Sequence, residues 1–165
     1  MHNAEPNPAL SFSPEHARYL GHIIAEWNGI EAMLCFIFAW LLRAENSESA
    51  VDVFYSLSNN TARLDILEAA AKKALLDRPE APQFEILLED ARSVLSRRNE
   101  YAHASYVSDD KNRVRLLRFR YDLNSQKGSR VLHLKELKKM VRDMCALSER
   151  IFQFYRERAI GELLA

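Results

Sequence analysis

The stretch from Pro14 to Arg43 constrains the fold more than any other part of this 165-residue chain. Leu20, Ile23, Ile24, Trp27, Ile30, Leu34, Phe38 and Leu41 recur at the three-and-four spacing of one helix face. Met33, Phe36, Ile37 and Trp40 add apolar side chains elsewhere, so the second half of this helix is apolar nearly all round. Such a helix must be covered by other elements of a bundle or by a second subunit. Ser13-Pro14 starts it, with Ser as N-cap and Pro in the first turn. Its most apolar run, Ala32 to Leu42, has 11 residues. A spanning helix needs about 20, which predicts a core helix, no membrane association and a cytoplasmic protein.

The rest of the chain supplies the cover. A second helix is expected from Glu48 to Leu76, broken at Ser58-Asn59-Asn60-Thr61, where Asn60 or Thr61 can cap the second piece. A third runs from about Pro82 to Tyr106 and a last from Leu134 to Ile160. In the last, positions 134, 137, 141, 144, 148, 151 and 155 form an alternating seam, apolar except at Ser148. Val114 to Tyr121 and Ser129 to His133 have strand-like content around a turn at Asn124 to Gly128. Only four Gly and five Pro argue against an all-β fold of many turns. The fold predicted is all-α, an up-and-down four- or five-helix bundle with a small β-hairpin before the last helix. Residues 13–165 would form one domain behind a loose arm at 1–12. Cys35 and Cys145 sit in apolar helical patterns and read as buried hydrophobes in a reducing compartment. With no Gly-rich phosphate loop and no Cys/His ligand spacing, no metal or cofactor is expected.

The formal charge is zero, but it is divided. Residues 1–90 hold 6 basic and 14 acidic side chains, and residues 91–165 hold 17 basic and 9 acidic. The hairpin region carries Arg113, Arg115, Arg118 and Arg120 beside Phe119 and Tyr121. Positive charge tracks phosphate and aromatic rings stack on bases, so these arginines are candidate RNA contacts. The bland alternative is that the basic half balances the acidic half within the molecule or across a dimer.

Two charges stand where hydrophobes belong. Arg98 falls in the apolar arc formed by Phe84, Leu87, Leu88, Ala91, Val94, Leu95, Tyr101 and Ala102, and Glu31 falls in the stripe of the first helix. Buried charges need partners, so a Glu31–Arg98 pair between the two helices is expected. Asn99, His103 and Tyr106 share one helical line beside Arg98, with Arg92 and Ser96 extending it backwards. Arginine offers a fork for phosphate, and histidine can move protons near pH 7. Together they suit phosphodiester cleavage without a metal. Glu100-Tyr-Ala-His103 also reads as the Glu-x-x-His of di-metal bundles, but those need two such motifs and this chain has one.

Arg98-Asn99-Glu100-Tyr101-Ala102-His103 resembles the R-x4-6-H motif of the HEPN superfamily, including the polar residue after Arg and the position in a late helix of a helical bundle. The Trp27/Glu31 pattern in the first helix is also similar to these proteins. The resemblance implies a metal-independent endoribonuclease, of the kind often found as toxins or phage-defence components, working as a homodimer with two motifs facing each other. It implies RNA as substrate and an antitoxin-type protein partner. His103 would be general base or acid, Arg98 alone or with Arg97 would stabilise the phosphate charge, Asn99 would orient the imidazole or the phosphate, and Tyr106 would stack on a base or donate a hydrogen bond. Other members are non-catalytic scaffold, dimerisation or nucleotide-binding domains. If Glu31 holds Arg98, then Arg97 or Arg92 must meet the phosphate.

Overall fold

The computed structural model describes residues 8–11, 13–44, 47–117 and 129–160. It is a helical bundle with a small antiparallel sheet ahead of the last helix, as predicted. The elements are α1 (Pro8–Ser11), α2 (Pro14–Leu41), α3 (Ser47–Ser56), α4 (Asn60–Ala74), α5 (Ala81–Ala102), β1 (Ser105–Ser108), β2 (Val114–Leu117), β3 (Ser129–Val131) and α6 (Leu134–Tyr155), which runs on into a single π turn at Arg156–Ile160.

The apolar circumference of α2 puts it at the centre. It packs against α3, α4, α5 and α6. Ile23, Trp27, Ile30, Leu34, Ile37 and Phe38 are all but sealed from solvent. Among the described residues α2 is also the one helix long and apolar enough to cross a membrane. Here that apolar surface forms the middle of the core. α6 runs parallel to α2: Lys138 lies over the ring of Tyr19 near both N-terminal ends, and Tyr155 meets Phe36 near both C-terminal ends. α5 runs antiparallel to α6, with Arg97–Asp143, Arg150–Asp90 and Arg158–Glu80 as successive rungs.

Several local expectations are corrected. The break in the second helix is real, but Asn59 is the cap, its side chain accepting from the Ala62 N–H at 2.9 Å. Ser13 is the N-cap residue of α2 with Pro14 in the first turn, as expected, but its hydroxyl makes no capping hydrogen bond and meets His16 Nδ1 at 2.6 Å instead. His16 Nε2 in turn donates to the Leu132 carbonyl at 3.0 Å, tying the start of α2 to the segment before α6. Of the expected N-terminal arm, Pro8–Ser11 makes a helical turn against β1 with Leu10 on the core, and residues 1–7 and 12 lie outside the described residues. The seam of α6 is Leu137, Met140, Met144, Leu147, Ile151 and Phe154. Val141, Ser148 and Tyr155 sit at its edge, because a 3.6-residue helix wedged between α2 and α5 buries the neighbouring row. Cys35 is buried, whereas Cys145 is exposed.

α5 ends at Ala102, not Tyr106. Ser105–Ser108 alternates and pairs with β2, placing Tyr106 opposite Leu116, and β2 pairs in turn with β3. Val114 and Leu116 point into the core while Arg115 and Leu117 do not, the period of two that a half-buried strand requires.

The expected Glu31–Arg98 pair is not formed. Glu31 accepts from Arg63 Nη1 at 2.6 Å, and both side chains are largely buried. The same guanidinium donates to Asn60 Oδ1 at 3.1 Å and to the Leu57 carbonyl at 2.9 Å, and it stacks over the Tyr55 ring. Arg63 wins because α4 starts beside α2 at that level, and its fork also satisfies the carbonyl left open between α3 and α4. Arg63→Ala should therefore cost about 3–5 kcal/mol, since it strands Glu31 in a mostly buried place. Arg98→Ala should cost less than about 1 kcal/mol because it strands no carboxylate. Denaturant melts of the two variants check the order, and a larger loss for Arg98→Ala would refute it.

Candidate phosphodiester site

The C-terminal half of α5 presents three arginines, and their environments separate them. Arg92 is held by Asp65 at 2.8 Å and Glu68 at 2.7 Å, both on α4. Arg97 is held by Asp143 of α6 at 2.7 Å, where Lys139 joins the same carboxylate. Arg98, half-buried next to them, meets no carboxylate among the described residues. Its Nη1 donates to Asn99 Oδ1 at 3.1 Å, and its Nε is buried without a partner there. The adjacent amide thus steadies the head group without neutralising it.

His103 lies one turn beyond Asn99. It is the C-cap of α5, its N–H donating to the Asn99 carbonyl at 3.1 Å, and its side chain is exposed. Arg98, Asn99 and His103 therefore share the end of α5, with the imidazole turned to solvent. Tyr106 does not continue their line, because it belongs to β1. Its hydroxyl donates to the Tyr101 carbonyl at 2.6 Å. Burial, reinforced by Tyr101 and Glu100 nearby, pushes the phenol well above the ordinary range, so it stays protonated.

The end of α5 is fixed by a residue whose role the sequence did not reveal. Arg130 of β3 donates to Glu100 at 3.1 Å and to Glu136 of α6 at 2.5 Å. This clamp joins helix, sheet and last helix immediately behind His103. It also occupies the acid of the Glu-x-x-His reading. Glu31, expected here, pairs with Arg63 of α4 instead.

The hairpin arginines are less available than their spacing suggested. Arg113 is bonded to Asp109 at 2.8 Å, and Arg115 reaches Asp109 at 3.8 Å and Ser129 Oγ at 2.9 Å. Arg118 and Arg120 lie outside the described residues. Asp109 organises the β1–β2 turn, accepting from the backbone N–H groups of Lys111 and Arg113, with Asn112 in the left-handed region at φ 55°. An Asp that opens a polar loop and bonds the backbone ahead of it is a turn signal in the sequence. The basic half is thus largely paired, much of it to the acidic half through Arg92, Arg150 and Arg158. No protein-family model, curated protein or solved structure matches this chain.

The hydrogen bonds from the Arg113 side chain and backbone hold the Asp109 carboxyl down at about 2, against an ordinary value of 3.8. A depressed carboxylate stabilises the turn fully above its ordinary value, and the contribution is lost as pH falls through the depressed one. Protection of the Lys111 and Arg113 amides, measured against the intrinsic exchange rate at each pH, should therefore be full at pH 5 and fall away as pH drops from 4 toward about 2. Asp109→Asn should lose that protection already at pH 5. Protection that stays constant across this range in the native protein would refute the assignment.

Proposed function

We propose that this chain is a HEPN-like, metal-independent endoribonuclease that works in the cytoplasm as a homodimer, with Arg98, Asn99 and His103 as its phosphodiester site. One observation carries the reading: of the three arginines at the end of α5, only Arg98 is without a carboxylate among the described residues. A guanidinium held by an amide keeps its charge for a phosphate, whereas one held by a carboxylate must first give up its partner. His103, exposed at the C-cap five residues on, takes the proton of a ribose 2′-hydroxyl or delivers one to the departing 5′-oxygen. Arg98 stabilises the charge that builds on the pentacoordinate phosphorus. Asn99 positions the guanidinium.

A single imidazole serves badly as base and acid in one turnover, so two copies with motifs face to face supply one each. RNA binding by Arg113 and Arg115 requires phosphate to compete with Asp109, and Tyr106 acts through the shape of the site and not through its hydroxyl. An antitoxin-type protein partner belongs to the same reading. The engaged state of Arg113 and Arg115 also favours a second reading, a non-catalytic module that takes a single nucleotide at Arg98 and His103.

Incubation with structured and unstructured RNAs in excess chelator should give cleavage by the native protein. His103→Ala should slow it by about 100-fold or more, with thermal unfolding unchanged because the side chain is exposed. Arg98→Ala should lose comparable activity, and Arg97→Ala much less. RNA left intact by the native protein, or cleaved equally by His103→Ala, would remove the nuclease reading. Saturable nucleotide binding that depends on Arg98 would then establish the second.

A further inference from the structure

Away from this site, α4 and α5 enclose an open groove of about 640 Å³ on the outside of the bundle. Its floor is apolar and shallow, the outer edge of the core: Ala71 and Leu75 from α4, Phe84 and Leu88 from α5, each 1–6% exposed. Leu76 stands at its edge, 71% exposed, and extends the apolar floor beyond the two helices. The volume is within the range of ligand clefts.

The rim decides what fits. Its two cations, Lys72 and Arg92, are both bonded to Glu68, at 2.6 and 2.7 Å, and Arg92 also to Asp65. Three carboxylates remain, Asp77, Glu85 and Glu89, with no ion pair among the described residues. Glu85 and Glu89 are four residues apart and exposed, so they stand one above the other on the groove side of α5. Asp77 closes the opposite end from the α4–α5 turn, in the left-handed region at φ 60°. Lys72 also feels the charge of Glu85, yet the lining holds four carboxylates against two cations, and that net negative rim disfavours anions and RNA and favours a cationic amphiphile.

We propose that this groove docks a basic amphipathic helix of a partner protein, which lies between α4 and α5 as a third helix. Leucine-like side chains at i, i+3 and i+7 fill the floor, and Lys or Arg one turn apart meets Glu85 and Glu89. The proposal is independent of the ribonuclease reading, since neither Arg98 nor His103 lines the groove.

The test uses a synthetic peptide of about 14 residues, helical over about 21 Å, with Leu along one stripe and Lys flanking it. It is titrated into isotope-labelled protein. Comparators are a scrambled peptide of the same composition, the same peptide with Glu for Lys, and 4-phenylbutylamine as a small amphiphilic cation. Amide shifts should concentrate at Leu75, Leu76, Leu88 and Glu89. The double reversal Glu85→Lys with Glu89→Lys should weaken the Lys peptide at least about tenfold and allow the Glu peptide to bind. That charge swap separates lost binding from lost folding. Shifts mapping to α2 and α6, a scrambled peptide binding as tightly, or a double reversal without effect would overturn the proposal. Tighter binding of 4-phenylbutylamine would make the groove a small-molecule site, and dilution-dependent shifts without peptide would give it to a second copy; either refutes the partner helix.

Discussion

The structure depends on a helix that has almost no side to give to water. α2 is apolar around its second half, and burying that circumference requires neighbours on every side. α3 and α4 lie on one flank, α5 and α6 on the others, and Phe36 is the main part left uncovered. The break between α3 and α4 lets a short element and a longer one share the face that one straight helix would only touch along a line. That break exposes a carbonyl and leaves Glu31 facing inward from α2. Arg63 resolves both at once, which is why the buried ion pair forms on the α4 side and not the α5 side.

Once Glu31 is spoken for, α5 is arranged differently from its helical wheel. Arg98 falls at the margin of the apolar face, where the helix end lets its head group reach past the core to Asn99. The helix stops early because the residues after His103 gain more as a strand. Tyr106 and Leu116 face each other across the β1–β2 ladder, and Tyr106 caps the end of α5 through the Tyr101 carbonyl. A continued helix would have kept His103 and Tyr106 on one line, whereas the strand withdraws the phenol and leaves the imidazole alone at the rim.

What was legible in the sequence was whatever depends on one element. The apolar stripe of α2, the inward face of α5 from Phe84 to Leu95, and the strand content at Val114 and Ser129 all follow from local periodicity. What was illegible depends on which elements meet. Glu31 has two arginines of suitable chemistry, Arg63 and Arg98, and no wheel says which helix arrives at its level. The seam of α6 follows its neighbours α2 and α5, so Leu147 replaces Ser148 and Phe154 replaces Tyr155. Asp109 was visible as a turn former, but its hold on Arg113 and Arg115 exists only after β1 and β2 have paired.

The divided charge follows the same logic. Opposite charges on neighbouring helices cancel when they meet, as Arg150 does with Asp90 and Arg158 with Glu80, and such pairs near the surface contribute little beyond alignment. What the molecule offers to others is the charge left after this pairing. On the acidic side, among the described residues of 1–90, Glu26 of α2, Asp52 of α3 and Asp77, Glu85 and Glu89 are in no ion pair, and the last three stand around the groove between α4 and α5. On the basic side, among the described residues, Lys111, Lys135, Lys138, Arg142 and Arg156 are in no ion pair, and Arg98 remains at the end of α5. Of the negative remainder, Asp77, Glu85 and Glu89 stand around the groove, and of the positive remainder Arg98 stands on the last turn and a half of helix before the exposed His103. The total charge is silent on both points, and the count by halves overstates the basic surface. Only the pairing shows which charges stay unmatched, among them three carboxylates around the α4–α5 groove and Arg98 at the end of α5.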